Sequence, residues 1–265
     1  MKTDWNPDKY LVFKNERTQP SIDLVEKIEL ENPKTIIDIG CGPGNSTQIL
    51  VSRWPGSVVT GLDSSQAMIE RAKADYPDQI WVHGNAENIS TDKKYSLVFS
   101  NAALQWMGDH EKLIPKLWEL VEPHGAFAVQ FPNFENMPVC DAIDEVVNSA
   151  KWDPIIKKKY WNKGPYKLQS YYDLLCKYAG KIVLWETRYY HILPSMQGIV
   201  DFIHPTGLRP YHEQLDNENA VQEFEDDIVK ECRKHYNEQS DGKVLFPFYR
   251  LFILAYNNRR HKNVV

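Results

Sequence analysis

Short apolar runs alternate with helix-like patterns along residues 34–130. The apolar runs predict strands at 35–39, 57–62, 80–82, 96–100 and 126–130. Between them, apolar residues at helical spacing predict helices around 47–51, 67–72 and 111–121. Strands that alternate with helices form a parallel sheet with right-handed crossovers, so this part of the chain is predicted to be an α/β fold.

The pattern changes after Gln130. It predicts helices near 141–150 and 168–178, a strand at 181–189, further helices within 193–245 and a last strand at 251–255. The elements predict one domain over residues 1–265, built on a Rossmann-like sheet that is mostly parallel, with an antiparallel last strand and helices on both faces. We expect helical cap insertions at 132–167 and 193–245, and an N-terminal helical lid at 1–30.

A glycine-rich turn follows the first predicted strand. It contains Gly40, Gly42 and Gly44, with Asp38 two residues ahead of the first glycine. Glycines let the backbone turn sharply and approach a ligand, and the amides at the start of the next helix favour an anion. A dinucleotide site would place its third glycine at position 45, where Asn45 stands. The spacing therefore favours an S-adenosylmethionine site over a nicotinamide site.

Polar residues at the ends of the following strands extend this predicted site. Asp63, which ends the second strand, is placed to accept hydrogen bonds from both ribose hydroxyls, with Ser64 beside it. Asn85 and Ala86 follow the third strand and are placed to meet the adenine edge. Asn101, at the end of the fourth strand, completes the predicted cofactor-binding set.

Composition and charge narrow the class of partner. The 265 residues include 31 basic and 36 acidic side chains, and the formal net charge is -5. Proteins that hold nucleic acid more often carry a basic excess, so we expect no nucleic-acid partner. No apolar run reaches membrane-spanning length, the N-terminus lacks a signal-peptide pattern, and the four cysteines form no Cys-x-x-Cys pair. We expect a cytoplasmic monomer or weak homo-oligomer without a membrane partner.

The loop after the fourth strand indicates which chemical group could accept a methyl group from S-adenosylmethionine. Residues 101–106 read Asn-Ala-Ala-Leu-Gln-Trp and lack the Asn/Asp-Pro-Pro-aromatic motif with which many enzymes grip an exocyclic or amide nitrogen. A carboxylate acceptor is already ionised at neutral pH, and a sulfonium is an activated leaving group. Proximity, alignment and exclusion of water then suffice, so we predict no catalytic residue acting as a general base, and no metal.

Several segments outside the glycine turn carry a family resemblance. They are Asp4-Trp5-Asn6-Pro7, Asn101-Ala102-Ala103-Leu104-Gln105-Trp106, Tyr171-Tyr172-Asp173-Leu174-Leu175, Tyr189-Tyr190-His191, Thr206-Gly207-Leu208-Arg209-Pro210 and Arg250-Leu251-Phe252-Ile253. With these, the chain resembles the bacterial trans-aconitate methyltransferases, a class I methyltransferase family, over nearly its whole length. The resemblance departs at Asn85, where methyltransferases commonly have Asp, and in much of 133–165.

The resemblance implies methyl transfer from S-adenosylmethionine, leaving S-adenosylhomocysteine, to a carboxylate of trans-aconitate or a similar small polycarboxylic acid. Arginine suits such a substrate because its guanidinium binds a carboxylate with two parallel hydrogen bonds. Arg209 is the first candidate for this role and Arg17 is the second. The other predicted substrate-binding residues are Gln105, Trp106, Tyr172, Tyr190 and His191.

Two other functions remain open at this point. One is carboxyl methylation of a malonyl group on a carrier protein, in enzymes that also carry a Leu-Gln-Trp loop. The acidic helix predicted at 218–231 gives no support for docking an acidic carrier. The other is a non-catalytic S-adenosylmethionine-binding module, although nothing in the glycine turn suggests decay.

Overall fold

A computed structural model describes residues 14–90, 92–134, 137–159 and 167–258. Within these residues the strands are β1 (Thr35–Ile39), β2 (Val58–Asp63), β3 (Ile80–His83), β4 (Tyr95–Asn101), β5 (Val121–Pro132), β6 (Lys181–Leu193) and β7 (Val244–Tyr256). The α-helices are α1 (Lys14–Glu26), α2 (Asn45–Arg53), α3 (Gln66–Asp75), α4 (His110–Trp118), α5 (Pro138–Val147), α6 (Leu168–Leu175), α7 (Met196–Ile203), α8 (Arg209–His212) and α9 (Glu218–His235). None of the described helices is long and apolar enough to cross a membrane.

The strands form one sheet in the order β3-β2-β1-β4-β5-β7-β6. Strands β1 to β5 run parallel, and β7 lies antiparallel between β5 and β6. The predicted sheet, mostly parallel with an antiparallel last strand, is therefore confirmed. The strand order reverses between β1 and β4, and sheets of this kind bind ligands beyond the carboxyl ends of the strands at that point.

Both faces of the sheet are covered by helices, as predicted. On one face, Leu113 and Leu117 of α4 belong to a core cluster with Val98 and Phe127 of the sheet. On the other face, Leu24 of α1 and Leu50 of α2 belong to a cluster with Ile36 and Phe99. Neighbouring residues of one strand fall into different clusters because successive side chains point to opposite faces.

The last strands extend further than the apolar pattern predicted. Residues Val244–Tyr249 of β7 continue beyond β5, whose last pair is Pro132 with Arg250, and they pair with β6 as a two-stranded ribbon. Pro247 lies in this extension, and a proline inside an apolar run argues against a strand in sequence-based prediction. Pro247 has no N–H to donate, but in this ribbon β7 pairs with β6 alone, so its other side needs no hydrogen bond to a neighbouring strand.

A third core cluster lies at the carboxyl end of the parallel strands. It joins α5, α7, α8 and α9 to the ribbon, with Ile143, Ile199, Tyr211, Phe224 and Phe246 all fully buried. These helices occur in the two segments for which caps were predicted, of which 135–136 and 160–166 lie outside the described residues. Of the predicted lid at 1–30, residues 1–13, including Asp4-Trp5-Asn6-Pro7, lie outside them as well. That these segments act as caps and a lid stays a prediction.

Candidate functional site

A cavity of about 250 Å³ opens at the carboxyl ends of β1, β2 and β4, under α1 and α7. Ten of the residues predicted from the sequence line it. They are Arg17, Gly40, Gly42, Asp63, Ser64, Asn85, Ala86, Asn101, Gln105 and Trp106. The other six predicted residues do not belong to its lining. They are Asp38, Gly44, Tyr172, Tyr190, His191 and Arg209.

The glycine turn lies against the loop that follows β4. Gly40 has a φ of +70°, and a Cβ added there would lie 2.1 Å from the Cβ of Ala103. Gly42 also has a positive φ, but the space beside its Cα is open. The first position therefore requires glycine for packing as well as for conformation, and the second leaves room for a ligand against the backbone.

Asp38 lies behind the turn. Its Oδ2 accepts hydrogen bonds from the hydroxyl groups of Ser46 and Thr47, each 2.7 Å long. Burial raises the pKa of the Asp38 carboxyl to about 6, and the two hydroxyl groups oppose that rise. Because Ser46 and Thr47 form the first turn of α2, Asp38 fixes the turn to the helix start; Ser46 itself lines the cavity.

Asp63 connects the turn after β1 to the end of β2. Its Oδ2 accepts a hydrogen bond from the backbone N–H of Gly42, and its Oδ1 accepts one from Ser65, both at 2.8 Å. The side chain is only partly buried and lines the cavity beside Ser64. A carboxylate oxygen can accept more than one hydrogen bond, so the hydroxyl groups of a ribose could donate to Asp63 as well.

Asn85 also lines the cavity, and it precedes a short 3₁₀ helix formed by Ala86–Asn88. Its Oδ1 accepts the N–H of Glu87 at 2.8 Å, and its amide group donates to the carboxylate of Glu87 at 3.2 Å. The side chain thus has a structural task in addition to the predicted contact with adenine. Ala86 is buried beside it and also lines the cavity.

The loop after β4 is held from two sides. Gln105 donates from Nε2 to the carbonyl oxygen of Ala102 at 2.7 Å, so its amide N–H points at its own loop. Its Oε1 is buried and has no hydrogen-bond partner among the described residues. His110 donates from Nε2 to Leu104 O at 2.8 Å, and its Nδ1 lies 2.5 Å from the Tyr171 hydroxyl. Burial lowers the pKa of His110, which favours this neutral form.

Two buried arginines also line this cavity. Arg17 of α1, only 7% exposed, donates to Phe202 O at 2.9 Å, and its guanidinium lies 5.3 Å from the Phe202 ring. Arg250 of β7 is 3% exposed, and its guanidinium lies 4.7 Å from the Phe248 ring. The two rings are themselves 5.5 Å apart. Both cations therefore border the same pair of aromatic rings.

Arg250 is also linked to the residues at the end of β4. Its Nη1 donates to Gln130 Oε1 at 3.4 Å, and the Gln130 amide donates to the side-chain oxygen of Asn101. The sequence reasoning quoted Arg250 in a family motif but missed it as a site residue. The sequence did contain a signal for Arg250, because it is a charged residue within the apolar run of β7. Charged side chains are rarely buried unless they are paired.

Four predicted substrate-binding residues lie elsewhere. Tyr172 is 51% exposed, because the core-facing position of α6 is taken by Tyr171. Tyr190 is 52% exposed on the edge strand β6. Arg209 pairs with Glu213 one turn along, with 3.1 Å between Nε and Oε1. His191 is buried and stacks on Phe202, with 4.9 Å between the ring centroids, but it does not belong to the cavity lining.

Comparisons with known proteins agree with this fold. A family model described as "Methyltransferase domain" matches residues 36–125. Solved structures of similar fold include the YcgJ protein from Bacillus subtilis, with a TM-score of 0.57, 14% identity, and coverage of 91% of this chain and 100% of that one. Phosphoethanolamine N-methyltransferase 2 of Haemonchus contortus, in complex with S-adenosyl-L-methionine, has a TM-score of 0.59 and 12% identity, over 96% of this chain and 57% of that one.

Curated relatives give a finer assignment than the fold. Proteins named trans-aconitate 2-methyltransferase, from Escherichia coli and Shigella dysenteriae, are 39% identical to this chain over 256 residues. The match covers 96% of this chain and 98% of each relative. With the predicted motifs at the site and this identity along nearly its whole length, the chain belongs to the trans-aconitate 2-methyltransferase family of class I methyltransferases.

Proposed function

We propose that this protein transfers a methyl group from S-adenosylmethionine to a carboxylate of trans-aconitate. The name of its relatives supports this substrate, and so does the division of the cavity into two unlike halves. One half is formed by the glycine turn, Asp63 and Asn85. The other half is bordered by Arg17 and Arg250.

The observation that carries the acceptor assignment is the pair of buried guanidinium groups. Trans-aconitate carries three carboxylates, and planar guanidinium groups bind such groups with paired hydrogen bonds. The positive potential of this half acts on a neighbouring group as well. Burial, and after it the charges of Arg250 and Arg17, lowers the pKa of His191 to about 4. A polyanion entering this half would therefore meet a field of the opposite sign.

The Thr18 hydroxyl adds a neutral donor to the same half. Thr18 follows Arg17 on α1 and lines the cavity, and its buried Oγ1 has no hydrogen-bond partner among the described residues. A hydroxyl group can donate to a carboxylate oxygen, so an acidic substrate would satisfy it. Phe134, Phe202 and Phe248 form apolar walls around these donors.

The residues of the other half fit S-adenosylmethionine. Asp63 would hold the ribose hydroxyl groups, Asn85 and Ala86 the adenine edge, and the turn from Gly40 to Gly44 the amino-acid part of the cofactor. The bound cofactor supplies a methyl group activated by its sulfonium. The two halves belong to one continuous cavity, so the acceptor carboxylate can be aligned with that methyl group.

The protein's own contribution to the reaction is proximity, alignment and exclusion of water. The acceptor carboxylate is already ionised at neutral pH, so no proton has to be removed from it. The described lining contains no histidine or lysine, and the nitrogen atoms of His110 are engaged with Leu104 and Tyr171. We therefore assign no general base and expect the arginines to hold the acid in line.

Mass spectrometry tests this proposal directly. The purified protein is incubated with S-adenosylmethionine and trans-aconitate, and with tri-, di- and monocarboxylic acids of similar size. The expected product is a base-labile monomethyl ester, formed fastest from the tricarboxylic acids. If no acid of the panel is esterified while S-adenosylmethionine binds, the acceptor assignment is wrong.

The two alternative functions are less well supported. Helix α9 presents exposed acidic residues such as Glu218 and Asp226, which disfavour docking of an acidic carrier protein. A module that only binds the cofactor would have no need of two buried arginines in the second half of the cavity. Neither alternative is favoured by an observation of its own.

A further inference from the structure

A cluster of two histidines and a glutamate lies behind the wall of the cavity. His204 directly follows α7, His212 is the last residue of α8, and Glu225 lies in the second turn of α9. They are eight and thirteen positions apart in the sequence, without a metal-binding motif. Packing of Ile203, Tyr211 and Phe224 in one apolar cluster brings the three helices together.

The three side chains converge on one point. His204 Nδ1 lies 2.5 Å from Glu225 Oε1, and His212 Nε2 lies 3.0 Å from the same oxygen. All three atoms lie within 4.8 Å of one another. Glu225 is buried, whereas both histidines are partly exposed and leave the cluster accessible from solvent.

Both imidazole rings contact the same carboxylate oxygen. His204 Nδ1 makes a hydrogen bond to Glu225 Oε1, and the buried His212 Nε2 lies within ion-pair distance of that oxygen, at 3.0 Å. A cation placed among the three atoms would take the place of the protons that these two contacts need.

We propose that His204, His212 and Glu225 bind a divalent first-row transition ion, with Zn²⁺ as the best fit. Two imidazole nitrogens and one carboxylate form a known ligand set for zinc, with bonds of about 2.0–2.2 Å and a fourth position left for water. Such bonds place tetrahedral ligand atoms about 3.3 Å apart. The His212–Glu225 separation is already close to this value, and the His204–Glu225 separation has to open by less than an ångström.

The proposed ion would act on the cavity through the segment between α7 and α8. Ile203, Thr206 and Gly207 line the cavity, and His204 lies among them. Binding to His212 and Glu225 would tie this wall to α8 and α9. The proposed site is therefore structural and separate from the residues assigned to methyl transfer.

Cobalt spectroscopy tests the site on the full-length protein after removal of metals with a chelator. Addition of Co²⁺ should give the visible absorption bands of a tetrahedral ion, saturating at one equivalent, and Zn²⁺ should displace it. Zn²⁺ should also raise the unfolding temperature of the metal-free protein, because an ion that binds only the folded state stabilises it.

Three variants make the assignment specific. Glu225→Gln keeps the size of the side chain but removes its charge, and His212→Gln removes the second ligand; each should weaken Co²⁺ binding by more than about tenfold. Glu145→Gln is the matched control, since Glu145, Glu231 and His235 form a second group of metal-ligating side chains among the described residues, and this variant should leave Co²⁺ affinity unchanged. S-adenosylmethionine binding, measured in parallel, reports whether each variant is folded.

Absence of tetrahedral bands in the wild-type protein would overturn the proposal. Equal Co²⁺ affinity in the wild type and in a folded Glu225→Gln or His212→Gln variant would overturn it as well. In either case the cluster is a hydrogen-bonded contact between helices. None of these results depends on which acid is methylated, so failure here is distinguishable from failure of the proposed reaction.

Discussion

Replacement of Arg250 by glutamine changes the half of the cavity that we propose binds the acid, and it leaves the glycine turn intact. Arg250 is 3% exposed, lines the cavity and borders the Phe248 ring. Glutamine fills part of the same space and can still hydrogen-bond to Gln130. It removes the positive charge and the two parallel donors that a carboxylate of the acid would use.

The expected magnitude follows from the burial of this guanidinium. Removal of one partner from a buried pair of hydrogen-bonded charges costs about 2–5 kcal/mol. This corresponds to a fall of about 30-fold to 4,000-fold in kcat/KM for the tricarboxylic acid. Arg250→Lys keeps the positive charge but lacks the planar guanidinium group. Its kcat/KM should therefore lie between that of the wild type and that of Arg250→Gln. Arg250 reaches Asn101 through Gln130 and a 3.4 Å contact, which is a weak hydrogen bond, so S-adenosylmethionine affinity should change less than about threefold.

Steady-state methylation of trans-aconitate gives kcat/KM, and calorimetry gives the affinity for S-adenosylmethionine. Arg188→Gln is the matched control, because this exposed arginine of β6 contacts Tyr249 and does not belong to the cavity lining. It should leave both quantities unchanged. The reasoning is refuted if Arg250→Gln lowers kcat/KM less than about threefold, or if it weakens cofactor and acid to the same degree.

Three further outcomes follow from the geometry. Gly40→Ala should destabilise the fold by about 2–5 kcal/mol, because the added Cβ would lie 2.1 Å from the Cβ of Ala103 and the backbone φ is +70°. Thermal unfolding measures this loss. Gly56→Ala, at an exposed glycine with open space around it, is the control and should have little effect. The pKa of His191 is about 4 in the folded protein, below its ordinary value of 6.5. Between pH 6.5 and pH 4 the unfolded chain therefore binds more protons than the folded one. The free energy of unfolding falls as the pH falls through this range. Denaturant unfolding should show that His191→Gln removes about 2 kcal/mol of the stability loss between pH 7 and pH 5, and parallel losses in both proteins would contradict this. Arg209→Ala should raise the KM for the acid less than about threefold, since Arg209 pairs with Glu213 outside the cavity lining; a large increase would show that it reaches the substrate.

The α/β fold, and the position of the glycine turn, Asp63 and Asn85 around one cavity, followed from the sequence. Strands and helices of the parallel sheet were visible as apolar periodicity, because each element buries its own face against the same core. The glycine turn, Asp63 and Asn85 each follow a strand directly. Since the carboxyl ends of parallel strands meet at one edge, local order along the chain was enough to bring these residues together.

The grouping of two buried arginines at this cavity was decided by the tertiary structure. Arg17 and Arg250 come from opposite ends of the chain and meet through the packing of Phe202 against Phe248, whereas Arg209 was the stronger candidate by local sequence. His204, His212 and Glu225 likewise converge only because three helices share one apolar cluster. Periodicity records which face of an element is buried. It carries no record of which distant side chain shares that space, and this depends on how the elements pack.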